Sequence, residues 1–377
     1  MDSQVFAALD AALAGRSPLD AFALVADQCR AEQNYALLFE TKLMQRRFEL
    51  GLPLIQTDGN LPSDKQAGYE QFMVETAREV GTLFLETGQI ERAFPYFRAI
   101  GDLAPVSKAI ESVEPGDNIE GIIEIAFQQG LHPVKGIDLI LKQYGMCRAI
   151  TLFGMYGVSA KRSECMALIS SALYQELLTN LRDAVKGHEG AEPAGAHITE
   201  LIDGRDWLFG EYDYYVDTSH LNSVVQYAAE TQDPATLELI SEMCAYGRKL
   251  SMPLHIRGNP PFDNPFVDYG KYADALLGRD VEGVIAHFRE KIAQEPEESM
   301  PAQVLVHLLL KLDRAGDALA VAREHLSEVP ASYLTCPTPL QLAHKAGEYF
   351  TLAEMARERE DPLSYIAARL LANKTAS

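Results

Sequence analysis

The chain has 377 residues, enough for two to three domains of ordinary size or for one long repeat array. Hydrophobic residues make up 47% and charged residues 23%, with 26 glycines and 19 prolines, which excludes disordered, collagen-like and low-complexity classes. Fifty-four acidic side chains against 33 basic ones give a formal charge of −21 at pH 7, a balance that argues against a phosphate-neutralising surface and so against nucleic acid or an anionic membrane as partner.

Residues 1–15 carry no base before Arg16, and Asp10 interrupts their apolar run, so the start of the sequence predicts no export signal. The longest strongly apolar stretch, 149–160, has twelve residues between Arg148 and Lys161. That is short of the roughly 20 needed to span a bilayer and predicts a buried helix or a turn. Five cysteines (Cys29, Cys147, Cys165, Cys244, Cys336) are odd in number and widely spaced, with no C-x-x-C pair. They predict reduced core thiols and a cytoplasmic protein.

Apolar residues recur at the 3, 4, 7 spacing of helices along nearly the whole chain, and strand-type alternation is scarce, so the expected fold class is all-α. Within 74–107, Val80, Gly81 and Phe84 lie on one helix, Gly88 marks a turn, Ala93, Phe97 and Ile100 lie on the next, and Pro105 closes it. The small Gly81 and Ala93 predict a close helix approach, and the large Phe84 and Phe97 predict packing on neighbouring elements. Residues 119–129 and 134–144 predict a second pair around His132, and 162–186 a longer helix. Gly187, Gly190, Pro193 and Gly195 then mark 187–195 as a loop. Residues 221–230 and 234–250 predict another pair, with Pro234 suited to a first helical turn. Four prolines fall in 251–265, a long loop of the kind that often carries function.

Toward the C-terminus the spacing repeats. Val284, Phe288 and Pro296 stand four and twelve apart, as do Ala93, Phe97 and Pro105, and again Ala318, Ala322 and Pro330; Val284 and Ala318 are 34 apart. Two tandem units, 265–298 and 299–332, are therefore expected, followed by a degenerate unit at 340–358 and a last helix, 362–371, as a cap. With Val80-Gly81, Phe84, Ala93, Phe97 and Pro105, this pattern resembles the tetratricopeptide repeat, which sets leucine-glycine, an aromatic, alanine, an aromatic and a late proline at fixed offsets. Ala77 departs from it where a large residue is usual, as does Val284 where a small one is. The resemblance implies a right-handed α-solenoid of antiparallel hairpins forming one continuous domain, 1–377. Its blocks are N-terminal hairpins at 1–116, an irregular helical middle at 117–264 and C-terminal repeats at 265–377.

Phosphate loops, H-E-x-x-H, nucleophile elbows and dinucleotide fingerprints do not occur in the sequence, and no motif names a cofactor. Trp207 to His220 concentrates the only tryptophan, three tyrosines, three acids and a histidine. Aromatics with polar tips suit a pocket, which makes Tyr214 and Tyr215 candidate ligand contacts. Asp217 and His220, three apart at a helix start, are candidate metal ligands; the alternative is that Asp217, Thr218 or Ser219 is simply the N-cap. From Gly187 to Asp217 eight acids face one base, a stretch that is either a solvated face or a lure for a cation or basic peptide. His132, between two helices, is a candidate base or ligand, or a helix-end cap. His255 and Arg257 stand in the proline loop, where a guanidinium can clamp a carboxylate or phosphate, or else pair with an acid such as Asp263.

Two functions follow. The resemblance implies a non-catalytic scaffold that holds a peptide or protein partner on a concave face. The alternative is an enzyme or a small-ligand, metal-capable binding protein whose irregular middle builds a pocket from His132, Tyr214, Tyr215, Asp217, His220, His255 and Arg257.

Overall fold

The computed structural model describes residues 3–15, 18–55, 61–157 and 161–375. The fold is all-α: these residues form nineteen α-helices joined by turns, with a π-helical turn, four 3-10 turns and no strand among them. None of the described helices is long and apolar enough to cross a membrane. The chain forms two compact units, one reaching to Gln143 and the other running from Tyr144.

The first unit holds α1 (Ser3–Gly15), α2 (Pro18–Ala31), α3 (Tyr35–Glu49), α4 (Ser63–Glu86), α5 (Ile90–Ala99), α6 (Ala104–Glu111) and α7 (Glu120–Ile123). A π-helical turn, Glu124–Gln128, extends α7, so the helix expected over 119–129 is broken in character midway. Its core includes Leu38, Val80, Phe84, Ala93, Phe97 and Ile110. A Cβ on Gly81 would lie 2.7 Å from the Phe97 ring, so α4 and α5 approach each other with Phe97 seated directly on the glycine. Phe97 thus packs inside the hairpin, whereas Phe84 reaches α3 and meets Tyr35 edge to face, ring centroids 5.1 Å apart.

The helical stretch α8 (Pro133–Met155) is interrupted at Gly145, whose φ of 79° and ψ of −176° only glycine adopts readily. The expected apolar stretch at 149–160 is helical as far as Met155, and its last three residues lie outside the described ones.

The second unit continues with α9 (Arg162–Glu189), α10 (Ile198–Ile202), α11 (Thr218–Val225) and α12 (Pro234–Lys249). Helix α9 runs through the expected loop start at Gly187 and ends at Gly190, φ 72°. Glu242 on α12 ties three helices: it accepts from the Tyr174 hydroxyl of α9 and from the backbone N–H of Ile198 at the start of α10, both at 2.8 Å. Asp233 caps α12 by accepting from Thr236 N at 2.9 Å, with Pro234 in the first turn as expected. The acidic run is partly paired with bases: Arg205 with Glu189, Lys186 with Glu192, and Lys249 with Asp206.

Three hairpins follow: α13 (Pro265–Leu276) with α14 (Val281–Gln294), α15 (Met300–Lys311) with α16 (Ala315–His325), and α17 (Pro339–Lys345) with α18 (Tyr349–Glu358). They share one core that contains Tyr272, Val284, Phe288, Leu305, Ala318, Ala322 and Leu342. Helix α19 (Pro362–Thr375) packs on α18, but Leu363, Ile366 and Leu370 on its other side are exposed, where a capping helix ordinarily carries polar residues.

Candidate functional site

Between α12 and α13 the chain has no regular structure apart from a 3-10 turn at Met252–Leu254, yet the proline loop is tightly determined. Gly258 N donates to the carbonyl of Asp263 at 3.3 Å, and Phe262 N to that of Asn259 at 2.8 Å. A Cβ on Gly258 would fall 2.1 Å from the Phe262 carbonyl oxygen, so the closure admits only glycine there. Phe262 stacks on Tyr269 of α13 with ring centroids 4.0 Å apart and touches Phe288 of α14 edge to face at 5.8 Å. The loop is thereby nailed to the apolar core.

A polar clasp completes the attachment. Asp268 on α13 is wholly buried; its carboxylate accepts from Asn264 N at 2.8 Å, contacts His287 Nε2 at 2.8 Å and pairs with Lys291 at 3.3 Å. Lys291, itself buried on α14, also pairs with Asp263 of the loop at 2.5 Å. Asp263 is thus the partner of Lys291 and not of Arg257, which corrects one reading of the sequence.

The outcome is an Arg257 that is exposed and makes no hydrogen bond or ion pair with any described residue. It stands at the border of two cavities of about 360 Å³ each. One lies beside His255, Arg257 and Asp263. The other is walled by the loop from Arg257 to Phe262, by Asn222 and Gln226 at the end of α11, by Tyr269 of α13, and by Met300 and Val304 of α15. Among the described residues no acid lines this second cavity. The Oδ1 of Asn222 is buried, closed to solvent and without a hydrogen-bond partner among the described residues, and the Tyr269 hydroxyl has no hydrogen-bond partner among them either. Burial pushes the Tyr269 phenol well above its ordinary range, so it is a neutral donor at physiological pH.

The other candidates have separate settings. Asp217 is the N-cap of α11: its Oδ1 accepts from Ser219 N at 2.8 Å and from Ser219 Oγ at 2.6 Å, and these bonds hold its carboxyl below the usual range. His220 follows on the same helix, half-buried. Tyr215 is held through its backbone, N–H to the Tyr246 hydroxyl at 2.9 Å and carbonyl to Asn180 at 2.6 Å, while the Tyr214 ring is exposed. His255 bonds the Leu250 carbonyl through Nε2 at 3.0 Å and sets its ring edge to face with Phe266, a stitch across the loop. His132, in the first unit, has Nε2 at 3.7 Å from Glu111, and its N–H donates to the Ala126 carbonyl at 2.9 Å. Among the described residues no group of three or more His, Cys, Asp or Glu side chains is arranged to hold a metal ion.

Of the expected site residues, then, His255 and Arg257 share a cavity, whereas Tyr214, Tyr215, Asp217 and His220 line neither cavity at the loop. The sequence reading missed Asn222, Gln226, Tyr269, Met300 and Val304, which belong to helices with no motif of their own. The one signal that pointed here was the density of prolines. No protein-family model and no curated protein matches the chain.

Proposed function

We propose that the chain is a helical-repeat binding protein of the tetratricopeptide kind, a right-handed solenoid that holds a peptide or protein partner on its concave face. The observation that carries this reading is where the recurring residues fall. Val284 and Phe288 on α14, and Ala318 and Ala322 on α16, are all buried in one shared core, and Ala93 and Phe97 are buried in the same way on α5. Second helices that present equivalent faces to their neighbours leave the outward faces of the first helices for a partner. On this reading the α13 residues of that face are Val267 and Lys271, which are half-buried and outside the shared core.

The test is selection of a displayed random-peptide library on the full chain, followed by affinity measurement of synthetic versions. Selected peptides are expected to weaken by about tenfold, the worth of one good interface contact, on the double change Val267→Glu and Lys271→Glu, with the helical circular dichroism unchanged. Peptides indifferent to that change, or no enrichment at all, would overturn the reading.

A second reading, a receptor for a small ligand, is favoured by the acid-free cavity at Arg257. It predicts that a small molecule raises the melting temperature of the chain while displayed peptides do not compete for it.

A further inference from the structure

In a chain of charge −21, a cavity with no acid in its walls among the described residues and one unpaired guanidinium offers an anion a favourable setting. Which anion follows from the other walls. A phosphate carries nearly two charges and is ordinarily met by several cations or by free N–H groups at a helix start, whereas Arg257 is the only cation lining this space among the described residues, and the two helix starts in its wall, at Pro265 and at Met300-Pro301, each lose an N–H to proline. A single guanidinium matches the two oxygens of one carboxylate in a bidentate pair.

Asn222 and Gln226, at the end of α11, give the same space a polar side. The third wall is apolar, formed by Met300, Val304 and the Phe262 ring. At about 360 Å³ the space is at the small end of the roughly 300 to 1,000 Å³ common for ligand cavities.

We propose that this cavity binds a carboxylate that carries an apolar group, with the carboxylate on Arg257 and the apolar group against Met300 and Val304. The chemistry has two sources, a free amino acid or the carboxy-terminal residue of a peptide. Only the second of these rests on the peptide-binding reading above.

The experiment is calorimetric titration of the full chain with three sets of probes spanning the standard side chains: free amino acids, N-acetyl amino acids, and acetyl-Gly-Gly-X peptides. Each acetylated acid is run beside its carboxamide. At least one apolar acid is expected to bind below about 1 mM, with its carboxamide about tenfold weaker, and Arg257→Gln is expected to cost about tenfold. Val304→Trp fills the space and is expected to abolish binding. Equal affinity for acid and carboxamide, indifference to Arg257→Gln, or no binding by any acid would overturn the proposal.

If acetyl-Gly-Gly-X binds at least as well as acetyl-X, the source is a peptide end. If only free amino acids bind, the cavity is a small-molecule site, and the carboxylate assignment stands while the peptide reading loses its anchor. Display-selected peptides that bind through α13 while no acid binds would leave the proposed function standing and remove this inference.

Discussion

Lys311 has the most informative titration in the molecule. On α15 its ammonium lies 5.6 Å from the Tyr272 ring centroid and donates to the Ala229 carbonyl at 2.5 Å, where it ties down the end of the 3-10 turn after α11. Burial pushes its pKa down to about 8, because the charged form gives up water that two carbonyls and a ring only partly replace. The sign follows from proton counts. Below pH 8 folded and unfolded chains both hold the proton, and the folded state bears the full cost of burying the charge. Between about 8 and the ordinary lysine value of 10.5 the unfolded chain holds more protons, so this residue makes stability rise with pH. Above pH 10 buried phenols such as Tyr227, Tyr246 and Tyr272, whose ionisation is pushed upward, act in the opposite direction, which confines the useful window to pH 8–10. Relative to Lys311→Met, the wild-type melting temperature is expected to climb between pH 7.5 and 9.5. A difference that stays flat across that span would mean the ammonium is not desolvated.

At the scale of elements, the proline loop is held by interactions between residues far apart in sequence. Removing the charge of Asp268 leaves Lys291 buried with only the loop carboxylate of Asp263, and breaking a buried pair on one side costs about 3 kcal/mol. Asp268→Asn is therefore expected to lower the unfolding free energy, read from urea denaturation at unchanged slope, by an amount of that order, and Asp268→Asn with Lys291→Met to lower it by less than the two single changes added together. Strict additivity would show that the two side chains do not act as a pair. Gly258→Ala tests the other end of the loop. The new methyl meets the Phe262 carbonyl, so the loop must open, and ligand affinity at Arg257 should fall with little change in helix content.

The clasp also explains what sequence reading reached and what it did not. Helices α13 to α18 were legible because their apolar residues keep a 3, 4, 7 period and because prolines and glycines punctuate them, and both signals are local. Lys291 sits inside the apolar stripe of α14, and nothing along the chain marks Asp268, 23 residues away, as its partner. Asn222 is an ordinary amide on a helix until α13, α15 and the loop close around it. His255 and Asp217 were noticed for their chemistry, but each satisfies a nearby backbone group, which residue identity alone does not reveal. Only Arg257, flagged by the prolines around it, kept the role of a free guanidinium.

At the scale of the whole molecule the excess of acid over base governs the response to salt. Many of the ion pairs, such as Arg30 with Glu79, Arg78 with Asp102 and Arg279 with Glu238, are exposed and contribute little individually. The formal charge of −21 means that most of the remaining long-range interactions are repulsive. A Debye length of about 30 Å at 0.01 M salt lets each carboxylate repel others across a unit, and the length of about 8 Å at 0.15 M confines the repulsion to near neighbours. Unfolding spreads the charges, so the folded state gains more from screening. The melting temperature is expected to rise by roughly 2 to 4 °C, the size of about 1 kcal/mol in a domain of 150 to 250 residues, between 0.01 and 0.15 M sodium chloride. Potassium chloride should give the same rise at equal ionic strength, since the effect depends on screening and not on a bound ion. A fall in melting temperature would show that the local pairs, Lys291 with its two carboxylates first among them, outweigh the net repulsion. A rise with one cation only would point instead to a specific ion site.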